Sequence, residues 1–314
     1  MKWWKKNKKI ICFDLGGTNF RWAVIDFAFD RPKFLAFEKR EKPSFSQIQT
    51  TLLFYIQKAK KKYQTQKVAI SSAGIVDQQQ KIVWQAKQCY GKEVFSFAFL
   101  EELGWEVFLE NDGRCFAQGS YIFELKRGFD PVLSLVIGTG IGGGFIWDGK
   151  NYRGQHFSGL EVGHQFFEIQ GEKTDWEDLI AGKGLEKQYF LLTKQKLTAE
   201  KIFYLAQEND LTAQRVIKTA GNYFSLGLAN LINLFDPQSL ILGGTLVNKQ
   251  SAFFLQAVKN SQELIFNQQL RIKFTGKAVN NERGRILRVF FSRLNDKASL
   301  LGAGWGMMKQ EEKK

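Results

Sequence analysis

Apolar and polar residues along the chain follow two recurring patterns, which predict strands and helices in alternation. Short apolar or β-branched runs, bounded by glycine, proline or polar residues, are typical of strands. They predict strands at Ile10–Leu15, Phe20–Phe27, Phe34–Lys39, Val68–Ser72, Ile82–Trp84, Glu106–Glu110, Val132–Ile137, Gly144–Asp148, Ser239–Leu242 and Arg288–Phe291. Longer segments with a helical apolar period predict helices at Phe45–Tyr63, Ser96–Leu103, Gly113–Lys126, Trp176–Leu192, Thr198–Glu208, Thr212–Phe235, Ala252–Asn267 and Ala298–Met308. This alternation predicts an α/β fold.

Two pairs of strands are joined by glycine turns. The first strand ends at Asp14 and is followed by the turn Gly16–Asn19, and a second strand–glycine–strand segment spans Val136–Lys150. Glycine lets backbone N–H groups approach phosphate oxygens, and successive N–H groups can form an anion-binding nest. Each turn also holds a hydroxyl, Thr18 or Thr139. We interpret both as phosphate-binding turns, the alternative being two ordinary hairpins.

The second glycine segment also fits the dinucleotide fingerprint G-x-G-x-x-G, at Gly138, Gly140 and Gly143. That fingerprint has to open a helix, because the pyrophosphate lies at the helix N-terminus. Here the chain continues through Asp148-Gly149, a pair typical of a two-residue hairpin. The glycines therefore lie between two strands, which favours a different phosphate site over a dinucleotide site.

Composition limits the class of protein. A chain of 314 residues with 44% hydrophobic residues is long and apolar enough for a large core or two domains. No apolar run reaches 18 residues, and the basic N-terminus lacks the apolar stretch of a signal peptide, so we expect no membrane partner. The three cysteines, at positions 12, 89 and 115, are scattered. They indicate a reducing, cytoplasmic setting and form no metal-ligand spacing.

The net charge of +14 raises nucleic-acid binding as an alternative. The lysines are spread along the chain, however, and the densest run, at residues 58–67, ends a predicted helix as a solvated face. We expect no nucleic-acid partner. A positive charge also suits an anionic nucleotide.

Two polar clusters are candidates for chemistry. Asn111 and Asp112 follow a predicted strand and directly precede a helix. Asp112 is therefore either a general base or simply the helix N-cap. Glu161 and His164 lie on a glycine-rich stretch after the second turn, where they are either functional groups or packing and capping residues.

Five segments, taken in order, are similar to the motifs of one protein family. They read DLGGTNFR, ENDG, IGTGIGGGFIWDGKNYRGQHFSGLEVGH, DPQSLILGGTLV and ASLLGAGWG. In these motifs the chain resembles the ROK family of sugar kinases, within the actin-like or hexokinase ATPase superfamily, over nearly its whole length. The resemblance implies two actin-like (ribonuclease H-like) lobes with a nucleotide and sugar cleft between them. The expected small lobe is 1–112 with the C-terminal helix 298–314, and the expected large lobe is 113–297; a homodimer is compatible with it.

The resemblance also implies roles for individual residues. Asp112 would be the catalytic base, and Asp14 would hold Mg²⁺, through water because Mg²⁺ sheds its hydration shell reluctantly. The implied sugar contacts are Asn111, Glu161, His164, Glu177 and Gln88. The implied contacts to ATP are Gly16, Gly17, Thr18, Gly138, Thr139, Gly140, Gly243 and Gly244.

Three features bear on how far the family pattern applies. Many ROK proteins carry a cysteine-rich zinc loop after the Gly-His pair, whereas the segment after His164 holds no cysteine, so no zinc is expected. The family usually has a sugar-contacting Asn after an Ala-Pro pair. Here that stretch reads WQAKQCYG, with Gln88 as the nearest equivalent, which weakens the glucose assignment. Family regulators add an N-terminal helix-turn-helix, and none is expected here because the chain starts at the first strand.

The expected activity is ATP- and Mg²⁺-dependent phosphorylation of a hexose, with glucose to glucose 6-phosphate as the first choice. Two alternatives stay open. One is a kinase for another sugar, such as fructose, mannose or an N-acetyl amino sugar. The other is a non-catalytic, sugar-sensing regulator.

Overall fold

The structure, a computed structural model, describes residues 8–29, 31–85, 87–169, 171–274 and 285–312, without the side chains of residues 87 and 88. Its strands are β1 Lys9–Leu15, β2 Asn19–Asp26, β3 Lys33–Glu41, β4 Lys67–Ser72, β5 Ile75–Asp77, β6 Ile82–Trp84, β7 Val94–Ser96, β8 Glu106–Asn111, β9 Val132–Ile137, β10 Ile141–Trp147, β11 Lys150–Asn151, β12 Phe166–Ile169, β13 Glu172–Asp175, β14 Ser239–Gly243, β15 Arg271–Phe274 and β16 Ile286–Phe291. Its α-helices are α1 Ile48–Tyr63, α2 Lys87–Tyr90, α3 Ala98–Glu102, α4 Asp112–Phe123, α5 Trp176–Ile180, α6 Gly182–Thr193, α7 Ala199–Gln207, α8 Leu211–Phe235, α9 Thr245–Lys249, α10 Ser251–Ser261 and α11 Ala298–Glu311.

The first of two compact units comprises the described parts of Met1–Lys126, Arg153–Gly159 and Asp296–Lys314. Its main sheet has the strand order β3-β2-β1-β4-β8, antiparallel from β3 to β1 and parallel from β1 to β8. Successive residues of β1 face opposite sides, as the period of a strand requires. Phe13 packs in the core with α1, whereas Cys12 approaches Gly304 of α11. Because β1, β4 and β8 run parallel, their carboxyl ends lie together at one edge of the sheet.

Helices α4 and α11 cross at a very close distance, which two glycines make possible. A Cβ atom at Gly119 would overlap the carbonyl of Ala298, and one at Gly302 would overlap the carbonyl of Cys115. Glycine inside a helix costs about 1 kcal/mol relative to alanine. We infer that the close packing of α4, the helix that begins at Asp112, offsets this cost.

Replacing Gly302 by Ala should destabilise the first unit. The added methyl overlaps backbone, which cannot move aside as a side chain can, so we expect a loss of about 1–3 kcal/mol. Thermal and urea unfolding measure it. The matched control is Gly221→Ala in α8, where a Cβ would lie 3.3 Å from a Phe253 ring carbon. Equal stability of both variants with the unaltered protein would contradict this account of the crossing.

The second unit comprises the described parts of Arg127–Tyr152 and Leu160–Asn295. Its six-stranded sheet has the order β11-β10-β9-β14-β16-β15. From β11 to β16 it repeats the strand directions of the first unit's sheet, with two antiparallel pairings followed by parallel ones. Trp176 is fully buried against α8, where Gly227 makes room for its indole ring. No helix among the described residues combines the length and apolarity needed to cross a bilayer.

The two compact units divide the chain differently from the predicted lobes. The sequence predicts a boundary at 112/113, whereas α4 belongs to the first unit because it packs against α11. The first unit also includes Arg153–Gly159, within the stretch predicted for the large lobe. Contacts between residues that lie far apart in sequence produce both differences.

The predicted helix Trp176–Leu192 is two helices, because the backbone is extended at Ala181. The break leaves the N–H group of Gly182 outside α5, and it donates to the carbonyl of Gly138 at 2.9 Å. The interruption therefore brings the start of α6 against the second glycine turn.

Candidate active site

The first glycine turn lies at the carboxyl end of β1. The N–H group of Gly16 donates to the carbonyl of Asn19 at 3.1 Å, which closes the turn between β1 and β2. Gly17 and Thr18 are exposed, and a Cβ at Gly17 would have no atom within 4 Å. The turn is thus an open strip of backbone at the edge of the sheet, and its role as a phosphate-binding turn stays a prediction.

Asp14 precedes this turn and is nearly buried. Its carboxylate accepts a hydrogen bond from Ser71 Oγ at 2.8 Å and pairs with Arg21 at 2.7 Å. Arg21 also pairs with Asp296, which in turn pairs with Lys39. Although burial opposes it, these two cations hold the pKa of Asp296 below its ordinary value. Asp14 is therefore an oriented carboxylate within a network of alternating charge.

The β8–α4 junction decides which residue caps the helix. Asn111 is the N-cap, because its Oδ1 accepts the N–H group of Arg114 at 3.2 Å. Its amide donates to the carbonyl of Gly74 at 3.1 Å, so both ends of the buried side chain have partners in the first unit. Asp112 is the first residue of α4, half-buried, with Oδ1 accepting the N–H group of Gly113 at 2.8 Å. The alternative that Asp112 is the N-cap is wrong.

A buried ion network, which the sequence did not reveal, is centred on Glu110, two residues before Asp112. The Glu110 carboxylate pairs with Arg114 at 2.9 Å and with Arg153 at 2.7 Å. Arg114 also donates to the carbonyls of Phe157 at 2.9 Å and Gly159 at 3.3 Å. The network ties the segment 153–159 to the start of α4. Only the i,i+4 spacing of Glu110 and Arg114 was visible in the sequence, since Arg153 lies 43 residues away from Glu110.

The second glycine turn, Gly138–Gly140, joins β9 to β10 in the second unit. The N–H group of Gly138 donates to the carbonyl of Gly140 at 2.9 Å. The start of α6 holds the turn from one side, since Gly182 donates to the carbonyl of Gly138 and Lys183 to that of Thr139. This geometry agrees with the prediction of a strand–turn–strand segment rather than a dinucleotide fingerprint.

Glu177 lies against this second turn. Its Oε2 accepts the N–H group of Ile141 at 2.7 Å. A Cβ at Gly140 would overlap the same oxygen, so glycine at position 140 leaves space for the carboxylate. The sequence assigned Glu177 to the sugar alone, and its contact with the turn is a finding of the structure.

The polar cluster in the signature segment lies in the same unit. His164 Nδ1 is 2.8 Å from Asp175 Oδ2, and the N–H group of His164 donates to the carbonyl of Glu161 at 3.1 Å. The hydrogen bond with Asp175 raises the pKa of His164, burial opposes that rise, and the negative charges of Asp175, Glu177 and Glu161 add to it. The structure thus brings three of the predicted sugar contacts into one acidic cluster around a histidine.

Gly243 ends β14, which runs parallel to β9, and Gly244 follows it, so both lie at the same sheet edge as the second glycine turn. Gly244 has φ of 99° and a Cβ there would overlap the carbonyl of Ile137, a combination that only glycine tolerates well. Gln88 lies in α2, and its side chain lies outside the described part of the structure. Its predicted sugar contact stays a prediction.

The described residues contain no cluster of three or more His, Cys, Asp or Glu side chains arranged to hold a metal ion. Cys12, Cys89 and Cys115 are buried free thiols. Burial raises the pKa of Cys89 to about 11 and raises that of Cys115 as well. These thiols are therefore protonated packing residues and not candidate nucleophiles.

Comparison with known proteins identifies the family. The sequence model of the ROK family matches residues 10–310. This chain belongs to the ROK family.

The ROK chain is similar to both kinases and a regulator. It is 32% identical over 188 residues to the xylose repressor of Bacillus subtilis (strain 168), covering 57% of this chain and 48% of the repressor, so it spans about half the repressor's length. It is 27% identical over 256 residues to N-acetyl-D-glucosamine kinase of Histophilus somni (strain 129Pt), covering 75% of this chain and 83% of that kinase. A ROK family glucokinase from Streptomyces griseus, solved with glucose and AMPPNP, matches with a TM-score of 0.74 at 24% identity, covering 94% of this chain and 98% of that one. The predicted α/β, actin-like fold is confirmed, and the chain is a ROK sugar kinase or a related regulator.

Proposed function

We propose that this ROK protein is an ATP-dependent hexose kinase, with glucose to glucose 6-phosphate as its main reaction. The observation that carries the proposal is the β8–α4 junction. Asn111 caps the helix there, and Asp112 occupies the first turn without being needed as the cap. The glycine turns at the strand ends of both units, and the kinases among the relatives, support the same conclusion.

Phosphoryl transfer needs a positioned hydroxyl, an acceptor for its proton, and dipoles around the transferred phosphate. In this proposal Asp112 accepts the proton of the sugar hydroxyl as that oxygen attacks the γ-phosphorus of ATP, and ADP leaves. Backbone N–H groups of the turns Gly16–Thr18 and Gly138–Gly140 hold the phosphates. Gly243 and Gly244 let the adenosine approach the backbone.

The acidic cluster suits the sugar. Carboxylates accept hydrogen bonds from hydroxyl groups, and a neutral polyol brings many of them. We assign Glu161, His164 and Glu177 as sugar contacts of the second unit, and Asn111 as the residue that orients the sugar beside Asp112. With Asp175 holding its Nδ1, His164 presents Nε2 to a hydroxyl.

The surroundings of Asp14 suit a magnesium ion held through water. A carboxylate offers about four acceptor positions, and the donors from Ser71 and Arg21 leave others open at Asp14. Mg²⁺ keeps several waters and is usually bound by one or two carboxylates together with substrate phosphates. Bound there, it would supply positive charge to the phosphates. The expectation of no zinc rests on the sequence.

A coupled assay of ADP release over a panel of hexoses tests the proposal. We expect turnover with glucose as the best or near-best substrate, a high KM, and weak discrimination against mannose or glucosamine. Efficient phosphorylation of fructose or an N-acetyl amino sugar, with glucose inert, would reject glucose as the substrate but keep a sugar kinase.

Replacing Gln88 by Asn should tighten glucose binding with little change in kcat. Gln88 is one methylene longer than the Asn of the family, and in this proposal the extra length misplaces its amide for one sugar hydroxyl. One misplaced hydrogen bond costs about 0.5–1.5 kcal/mol, up to roughly tenfold in affinity. Steady-state kinetics of the variant measure the change in KM. An unchanged KM would mean that residue 88 does not face the sugar.

A non-catalytic sugar sensor is the second candidate, favoured by the 32% identity to a xylose repressor. A sensor would bind sugar without sugar-dependent ADP release. Calorimetric sugar binding together with the ADP assay therefore separates the two functions.

A further inference from the structure

Three hydrogen bonds connect the second glycine turn to neighbouring residues. Ile141 donates its N–H group to Glu177, and the N–H groups of Gly182 and Lys183 bond the carbonyls of Gly138 and Thr139. Two of these hydrogen bonds come from the start of α6 and join backbone atoms only. The third hydrogen bond is accepted by the side chain of Glu177, so one substitution can remove it.

These hydrogen bonds orient the peptide groups of the turn. In a trans peptide the carbonyl and the following N–H group point in opposite directions. Because the carbonyls of Gly138 and Thr139 point at α6, the N–H groups of Thr139 and Gly140 point away from it. The hydrogen bond from the Ile141 N–H group to Glu177 fixes the orientation of the next peptide group, Gly140–Ile141, and so keeps the turn from rotating. Phosphate oxygens need donors fixed in such an arrangement.

The Glu177 carboxylate fills the space beside Gly140. Oε2 of Glu177 occupies the position that a side chain at residue 140 would take, and the absence of a side chain at Gly140 leaves room for it. The residue is therefore packed against the turn as well as bonded to it. An anionic acceptor bonds a backbone N–H group about twice as strongly as a neutral one.

We propose that Glu177 is a positioning residue for the nucleotide: its carboxylate holds the Gly138–Gly140 turn in the shape that binds ATP phosphates. The inference rests on the proposed function, since it takes this turn as a phosphate site. It adds a role for Glu177 that does not depend on the sugar. One carboxylate that holds the turn through Oε2 and a sugar hydroxyl through Oε1 would also link the two substrates.

Binding of AMPPNP with Mg²⁺ and without sugar, measured by calorimetry, tests the inference. We expect Glu177→Ala to weaken this binding about tenfold to a hundredfold, the effect of losing one charge-assisted hydrogen bond. Glu177→Gln keeps an oxygen acceptor of the same length but loses the charge, so it should weaken binding less than Ala does, by about threefold to tenfold. Glu177→Asp keeps the charge but is shorter by one methylene, and it should behave like Ala.

The matched control is Asp178→Ala, which removes the neighbouring carboxylate of the same helix. Asp178 pairs with Lys187 at 2.6 Å and should leave AMPPNP binding unchanged. Glu177→Asp replaces Glu177→Ala as the decisive variant if Ala at this position prevents folding.

Two results would overturn the inference in distinguishable ways. If Glu177→Ala or Glu177→Asp raises only the KM for sugar, with AMPPNP binding unchanged, Glu177 is a sugar contact alone and the proposed kinase stands. If the unaltered protein binds no AMPPNP at all, the proposed function fails and the inference fails with it.

Discussion

Replacing Asp112 by Asn should lower kcat by about 10²–10⁴-fold, the usual range for losing a general base, and leave sugar binding nearly unchanged. Asn keeps the size and hydrogen-bonding capacity of the side chain but cannot accept the proton of the sugar hydroxyl. Stability should also be preserved, because Asn111 and not Asp112 caps α4. The coupled ADP assay measures kcat, and calorimetry measures sugar affinity.

The matched control for Asp112→Asn is Asn111→Ala. Loss of the cap should cost about 0.5–2 kcal/mol of stability, and loss of the orienting amide should also affect the sugar. The two neighbours therefore separate a chemical effect from a structural one. Normal turnover by Asp112→Asn would mean that Asp112 is not the base.

Replacing Glu110 by Gln should destabilise the protein by about 3–5 kcal/mol, the usual cost of removing one partner of a buried ion pair. Glu110 and Arg114 are each about 1% exposed, so the Arg114 guanidinium would lose its counter-ion without gaining water. Arg153 would lose the same partner but is partly exposed and can be solvated. Urea unfolding, followed by circular dichroism, measures the change.

Two further variants test whether buried charge is the cause. Arg153→Gln removes a partly exposed partner and should cost much less than Glu110→Gln. The double variant Glu110→Gln with Arg114→Met removes both buried charges and should recover much of the lost stability. A double variant as unstable as the sum of its two single changes would contradict this explanation.

The network around Glu110 also has a consequence for the site. The network holds the segment 153–159, which is followed directly by Leu160 and Glu161. Its central residue, Glu110, directly precedes Asn111. A destabilised network should therefore disturb both a predicted sugar contact and the predicted base.

Each strand and helix predicted from the sequence has a counterpart in the structure, because each has a strong apolar period or β-branched run. The elements that were missed are short, such as β5, β7 and the hairpin β12–β13. Segments of three or four residues are too short to display a period, and their pairing depends on partners elsewhere. Helix Trp176–Leu192 was predicted unbroken because its apolar period continues through Ala181, whereas the backbone is extended there and the N–H group of Gly182 bonds Gly138.

The sequence by itself determined the α/β class, the two strand–glycine–strand turns and the likeness to ROK proteins, since these depend on residue type and on spacing along the chain. Only the tertiary structure decided that Asn111 caps α4, that Arg153 joins Glu110, and that Glu177 bonds the second turn. Each of these depends on which of several neighbouring polar groups meets a given N–H group or charge. Hydrogen bonds and ion pairs act over about 3 Å, so distance in space, and not spacing along the chain, selects the partner.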